Sequence, residues 1–301
     1  MSIERLAIIG LGLIGGSVGL AVRAMLPDVA TSGWDADADV RQRAAERGLA
    51  GTICDSVAEA VREADLVILC VPVGAMGYAA EAIAPHIRPG TIVSDVGSSK
   101  RSVGDALRAA LPEAVVIPAH PVAGTEKSGP EAGFPELFRH RWCIITPGED
   151  APQEAVDALA AFWEGLGARI EIMDAAHHDV VLAVTSHIPH LIAYTIVGTA
   201  SDLEDVTRGE VIKYSAGGFR DFTRIAASNP TMWRDVFLTN RDAVLEVLGR
   251  FTEDLSLLQR AIRNGDGDTL FDLFERTRAI RRSIIEEGQD DARPDFGRKD
   301  H

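Results

Sequence analysis

Histidine, serine and arginine residues recur in this chain beside glycine-containing segments, a combination suited to proton transfer and anion binding. His120 opens the run His120-Pro121-Val122-Ala123-Gly124-Thr125-Glu126, and Asp95-Val96-Gly97-Ser98-Ser99-Lys100 forms a second polar run. Each follows an apolar stretch that reads as a strand. An imidazole at a strand end accepts or donates a proton near neutral pH. Further along, Ser186, His187 and His190 sit on one helical stretch, where positions 186 and 190 share a face. His178 lies close by in sequence. No HExxH or other spacing with a helix-borne carboxylate joins these histidines, so no metal site is expected, and His187 reads as a satisfied core histidine. Gly217-Gly218-Phe219-Arg220-Asp221-Phe222-Thr223-Arg224 carries two arginines in a glycine- and phenylalanine-rich loop. A guanidinium fork matches a carboxylate, so one of Arg220 and Arg224 is a candidate clamp and the other a solvated charge.

A glycine motif precedes all of these. Gly10-x-Gly12-x-x-Gly15 closes the apolar run 5–10 and opens a helical one. Gly10 permits a tight turn, Gly12 close approach of a pyrophosphate to the backbone, and Gly15 close helix–strand packing. The N–H groups of Leu13 and Ile14 would face the phosphates at the helix start. Asp35 ends the next strand, about 20 residues past Gly15, where a carboxylate bonds both ribose hydroxyls of NAD and repels the extra phosphate of NADP. Ala36 and Asp37 follow it rather than an arginine, so NAD is favoured. Val71 and Pro72, at the end of the apolar strand 64–72, are expected to line the same site.

The elements that must position these groups alternate in the first half. Strands are predicted at 5–10, 29–35, 64–72, 91–97, 115–121, 141–147 and 169–174, with helices at 14–26 and 37–48 and helical stretches between the later strands. Near-continuous Val/Ile/Leu runs between helices indicate a parallel sheet covered on both faces, hence a doubly wound, mostly parallel α/β domain over 1–174. From Ala175 the apolar spacing is helical almost to 288. The segment 175–199 is too apolar for a solvated helix and must be buried in the domain or against a second subunit. Pro189 should kink it. A long helix runs to about 263, Asn264-Gly265-Asp266-Gly267 forms a turn, a last helix reaches about 288, and 289–301 is a polar tail without expected order.

Composition narrows the function classes. With 30 Lys+Arg against 45 Asp+Glu, the net charge of −15 makes nucleic acid or an anionic membrane a poor partner. No uninterrupted apolar run is long enough to predict a membrane span, and the N-terminus lacks the basic region and cleavage site of a signal peptide. The odd count of 3 cysteines, without a CxxC pair, reads as reduced thiols in the cytoplasm.

The ordered set GLGLIGGS (10–17), DVGSSK (95–100), HPVAGTEKSG (120–129), TSHIPHLIA (185–193), GGFRDFTRIA (217–226) and NPTMWRDVF (229–237) resembles the prephenate/arogenate dehydrogenase family. The resemblance spans about residues 5–285. It implies a Rossmann domain followed by an all-α domain (175–288) through which two subunits dimerise. It implies NAD-dependent oxidative decarboxylation of a cyclohexadiene acid in tyrosine biosynthesis, with hydride leaving C4 as carbon dioxide leaves the opposite carbon and the ring becomes aromatic. His120 then matches the catalytic histidine that accepts the hydrogen bond of the 4-hydroxyl, and Ser98 the serine that orients this contact. Arg224 matches the arginine on the ring carboxylate. Ser186 and His190 match residues lining the side-chain end of the substrate, Glu126 and His178 a gating pair, and Gly217 and Trp233 positions supplied by the neighbouring subunit. The length leaves no expected room for a fused chorismate mutase or an appended regulatory domain.

Two other classes compete. A β-hydroxyacid dehydrogenase would need a lysine on the helix 175–199, which contains none. A non-catalytic NAD-binding regulator would share the glycine motif but have no use for His120 or Arg224.

Overall fold

The computed structural model describes residues 2–125, 127–203, 213–214 and 216–286. Six strands, β1 (Arg5–Ile9), β2 (Ala30–Trp34), β3 (Thr52–Ile53), β4 (Leu66–Leu69), β5 (Ile92–Asp95) and β6 (Val115–Val116), form an all-parallel sheet in the order β3-β2-β1-β4-β5-β6. Side chains alternate across it. Leu6, Ile8, Leu66, Ile68 and Ile92 enter one buried cluster, and Ala7, Ile9, Val67, Leu69 and Val93 the other. That two-residue period explains why the strands read as continuous apolar runs: both faces are covered.

Helices α1 (Leu13–Met25), α2 (Ala38–Arg47), α3 (Val57–Val61), α4 (Met76–Ile83) and α5 (Arg101–Ala110) connect these strands. Asp37 caps α2 by accepting the N–H of Asp39, and Gly48 ends it in the left-handed region at φ 62°.

The predicted strand 115–121 is two. Pro118 has no N–H to donate, and the chain changes sheets there: β7 (Ala119–Pro121) pairs antiparallel with β8 (Trp142–Ile145), which pairs parallel with β9 (Arg169–Ile172). The runs at 141–147 and 169–174 thus build a second, three-stranded sheet instead of extending the first. Helix α6 (Gln153–Gly165) joins β8 to β9 and contributes Leu159, Phe162 and Trp163 to the first cluster.

The apolar segment from Ala175 is α7 (Ala175–Leu182), a π turn (Ala183–His187) and α8 (Ile188–Asp202). The irregularity attributed to Pro189 is this π turn, which ends just before the proline enters the first turn of α8. Joined, Ala175–Asp202 is long and apolar enough to cross a membrane by length and composition, with mean hydropathy 1.7. Of its polar side chains, His178 and Asp179 reach His120 of β7 and the start of α5, while His187 and Tyr194 bond within the helical half. Its other face leaves Val184 54% and Ile196 41% exposed. Helices α9 (Gly217–Thr223) and α10 (Pro230–Thr239) follow, the latter capped by Asn229.

The chain divides into two compact units, residues 1–245 and 246–301. Helix α11 (Arg241–Asn264) crosses that division. In the second unit the chain turns at Gly265, φ 66°, and Asp266 caps α12 (Gly267–Glu286) by accepting from the N–H and hydroxyl of Thr269. Leu257, Ile262, Phe271, Phe274 and Ile280 of this unit are exposed. The predicted tail 289–301 lies outside the described residues.

Candidate functional site

The glycine loop is shaped by what a side chain would meet. Gly10 has φ 97°, and a Cβ there would lie 2.6 Å from the Cys70 carbonyl and 3.1 Å from Val71. A Cβ on Gly15 would sit 1.9 Å from the Gly10 oxygen, so helix and loop touch backbone to backbone. A Cβ on Gly12 would meet no atom within 4 Å. Gly12 is the N-cap of α1 and offers no side-chain acceptor, so the first-turn N–H groups of Leu13, Ile14 and Gly15 remain for a ligand. Asp35 stands beside the loop: its Oδ2 accepts the N–H of Leu11 at 2.8 Å and its Oδ1 that of Asp37 at 3.0 Å. Pro72 begins the turn after β4 that borders Gly10. Space at Gly12, open helix donors and a carboxylate at the ribose end fit a dinucleotide such as NAD.

The carboxyl ends of β5 and β7 carry the acid–base groups. Asp95, the last residue of β5, and Lys100 form an ion pair with both side chains fully buried. Lys100 Nζ also donates to the Ala119 carbonyl at 2.7 Å, and the Gly97 N–H to Asp95 Oδ2 at 2.8 Å. Burial pushes the Asp95 carboxyl up and the Lys100 ammonium down, each offset by the other's charge. His120, on β7, is 8% exposed. Its Nδ1 lies 2.9 Å from Nε2 of the fully buried His178, whose Nδ1 lies 2.9 Å from Oδ1 of Asp179. Desolvation, reinforced by His178, Lys100 and His187, holds His120 well below the ordinary histidine range. Burial likewise lowers His178, against its hydrogen bond to Asp179. Ser98 is half-buried on the loop between Asp95 and Lys100.

The helical half supplies the opposite wall. His187 is fully buried; its Nδ1 meets Asn240 Nδ2 at 3.0 Å, while its Nε2 makes no close hydrogen bond among the described residues, the Ser98 backbone being near enough to raise its pKa slightly. The sequence expectation of a satisfied core histidine is therefore half met. Burial lowers its pKa to about 4. His190 Nδ1 donates to the Ser186 carbonyl at 2.8 Å, one turn back in the helix, and its ring stacks on Trp233 with centroids 3.6 Å apart. Burial depresses His190, and the Arg224 charge adds to that. Arg224 opens the short turn after α9. Gly217 starts α9.

Trp233 is 6% exposed and packs on His187, His190 and Phe237 of its own chain. Glu126, the expected gating partner of His178, lies outside the described residues, and the ring of His178 is committed to His120 and Asp179. Among the described residues no three His, Cys, Asp or Glu converge as metal ligands. Sequence reasoning missed Asp179 and Asn240, and it took Asp95 and Lys100 as parts of one polar run without pairing them. For Asp179 the local signal was a carboxylate inside an otherwise apolar helix.

Two family models cover most of the chain. One described as the prephenate dehydrogenase nucleotide-binding domain matches residues 18–172, and one described as the prephenate dehydrogenase dimerization domain matches 174–276. The chain belongs to the prephenate dehydrogenase family. Within that family it is 47% identical to a cyclohexadienyl dehydrogenase of Zymomonas mobilis, over 93% of this chain and 96% of that protein. It is 33% identical to a prephenate dehydrogenase of Bacillus subtilis, over 92% of this chain and 75% of that one. The prephenate dehydrogenase of Aquifex aeolicus, solved with hydroxyphenyl propionate and NAD+, superposes with TM-score 0.88 at 30% identity, covering 94% of this chain and 99% of that chain. Arogenate dehydrogenase of Synechocystis superposes with TM-score 0.80 at 26% identity, covering 93% of this chain and 99% of that chain.

Proposed function

We propose that this chain catalyses the NAD-dependent oxidative decarboxylation of prephenate, arogenate or both in tyrosine biosynthesis. The observation that carries this reading is His120: an imidazole kept neutral by burial at the carboxyl end of the sheet, on the side that holds the glycine loop. The ring substrate carries a hydroxyl and a hydrogen on C4 and a carboxylate on the opposite carbon. NAD, when bound, supplies the hydride acceptor. His120 takes the hydroxyl proton as the C4 hydrogen departs with its electron pair. The bond to the carboxylate breaks, carbon dioxide leaves, and that bond's electrons complete the aromatic ring. Leu13, Ile14 and Gly15 hold the pyrophosphate and Asp35 the ribose, while Val71 and Pro72 border the loop. Arg224 binds an anionic group of the substrate, Ser98 orients the hydroxyl, and Ser186 and His190 line the side-chain end. Closing such a pocket on the ring puts reacting atoms in contact without water between them.

The two parts 1–174 and 175–288 divide this labour between cofactor and substrate. The exposed apolar side chains of Val184 and Ile196 support a homodimer through the helical part, with Gly217 near the neighbouring subunit. The three free cysteines support a cytoplasmic home.

The test is to follow NADH formation with purified protein, NAD+ and each of the two substrates in turn. Turnover with either supports the reading, and the ratio of kcat/KM values assigns the substrate. NAD+ binding without turnover of either overturns it in favour of a non-catalytic NAD-binding role.

A further inference from the structure

Helix α5 begins at Arg101, and its N-cap is Lys100, whose side chain makes no cap. The cap comes instead from Asp179 on α7. Its Oδ1 accepts the N–H of Lys100 at 2.7 Å and its Oδ2 that of Arg101 at 3.0 Å. The same Oδ1 meets His178 Nδ1 at 2.9 Å, and the Asp179 carbonyl accepts from Asn240 Nδ2 at 2.8 Å. Asp179 is 5% exposed. Every polar atom of this residue that faces the site is therefore occupied and fixed in place.

The consequence runs through two rings. A carboxylate only accepts, so the proton of the facing His178 nitrogen must be on Nδ1. In the neutral ring, Nε2 of His178 is then an acceptor. It lies 2.9 Å from Nδ1 of His120, so that nitrogen must carry the proton of His120. The remaining nitrogen of His120, Nε2, is left with its lone pair. Burial keeps both rings neutral, which the chain of tautomers requires. The charged and titratable groups facing His120 are His178 from α7, Lys100 from the loop after β5 and His187 from the π turn.

We propose that Asp179 is a positioning residue of the reaction, which through His178 locks His120 with its proton on Nδ1 and its lone pair on Nε2. The role rests on the reading of His120 as the acceptor of the substrate's hydroxyl proton. Capping α5 and setting the tautomer are one contact, so the helix that follows the Ser98 loop and the basic nitrogen of His120 are placed together.

Nitrogen-15 spectra of the histidine rings in the full-length protein, without substrate, test the tautomers directly, with H120N and H178Q assigning the signals. Both rings are expected as the Nδ1–H form. In D179N the amide NH2 turned toward His178 reverses its tautomer, and both rings are expected as the Nε2–H form. The kcat of D179N should fall about 10²–10⁴-fold, the scale of a misplaced imidazole proton, with NAD+ affinity within about threefold. H178Q keeps both the Asp179 cap and an amide oxygen able to accept from His120 Nδ1, so it should retain more activity than D179N, and the reversed tautomers of D179N, which loss of the cap alone would not produce, separate positioning from capping. A wild-type spectrum with His120 protonated on Nε2 overturns the proposal, as does a D179N protein with unchanged tautomers or unchanged kcat. If D179N fails to fold, the wild-type spectrum decides. Absence of turnover in the parent protein would count against the dehydrogenase reading while leaving the tautomer result to stand or fall by itself.

Discussion

Asp35 and Leu11 are joined by a hydrogen bond of 2.8 Å from the backbone N–H of the glycine loop to the carboxylate at the end of β2. One side chain thus fixes the loop proposed to face the pyrophosphate and is itself the group proposed to recognise the ribose. Arg41 lies behind it, its guanidinium donating to the carbonyls of Asp35 at 2.8 Å and Ala36 at 3.3 Å. On that proposal, preference for NAD over NADP rests on a single carboxylate with a cation already near. Asp35→Ser should lower kcat/KM for NAD+ by about tenfold or more, the scale of a lost charge-assisted bond, and raise it for NADP+. The comparison of both cofactors in one assay checks this; an unchanged ratio would remove Asp35 from cofactor choice.

His120→Asn should reduce kcat by about 10²–10⁴-fold with KM little changed, because the proton acceptor is lost and the binding contacts are kept. Because burial holds the wild-type imidazole well below its ordinary value of 6.5, the neutral, active form persists on the acid side of that value. The acid limb of kcat/KM should accordingly fall below pH 6.5. A limb above that pH would mean that His120 is not the group being titrated.

Acid should also loosen the fold, and the sign follows from His187. Its folded pKa of about 4 lies under the unfolded 6.5. Below pH 6.5 the unfolded chain binds a proton that the folded one refuses, so stability falls from pH 6.5 down to about 4 and levels off beneath. At pH 5 the loss from this one ring is about 2 kcal/mol. Urea midpoints at pH 7 and pH 5 measure it, and His187→Gln, which cannot be protonated, should show a smaller drop. An equal drop in the variant would assign the acid sensitivity to His120 and His178.

How much of this was legible follows from range. The glycine motif, Asp35 and the parallel strands are local signals, since spacing and periodicity act over a few residues, and these elements lie where the sequence put them. Trp233 and the sheet switch at Pro118 are tertiary outcomes: which surface an indole covers depends on α8, far away in the chain. Asp179 was missed for the same reason. Within its helix it is merely a charge in an apolar run, and its meaning comes from the N-terminus of α5, which only the fold brings to it.

Arg224 is the candidate anion clamp of the helical half, and its charge already reaches His190. Arg224→Ala should raise KM for the ring substrate by the equivalent of about 2–4 kcal/mol, the order of a charged contact removed from a site, with NAD+ affinity unchanged. Initial rates over a range of substrate concentrations give the answer. An unchanged KM would move the clamp to Arg220, which precedes it in the same segment.

Gly12 and Gly15 separate cofactor binding from folding. At Gly12 the backbone has φ −76°, on the side any residue adopts, and an added Cβ meets no protein atom within 4 Å. Gly12→Ala should therefore fold with unchanged stability, while its methyl occupies the space through which a pyrophosphate reaches the backbone, weakening NAD+ by about tenfold or more. At Gly15 the same methyl would lie 1.9 Å from the Gly10 oxygen, with backbone on both sides and no flexible side chain to yield. Gly15→Ala should therefore cost about 3 kcal/mol or more, as overpacking against rigid backbone does. Thermal unfolding and NAD+ titration of the pair distinguish the two roles. A destabilised Gly12→Ala, or one that binds NAD+ as tightly as the parent, would mean that the open space at Gly12 is not where the nucleotide lies.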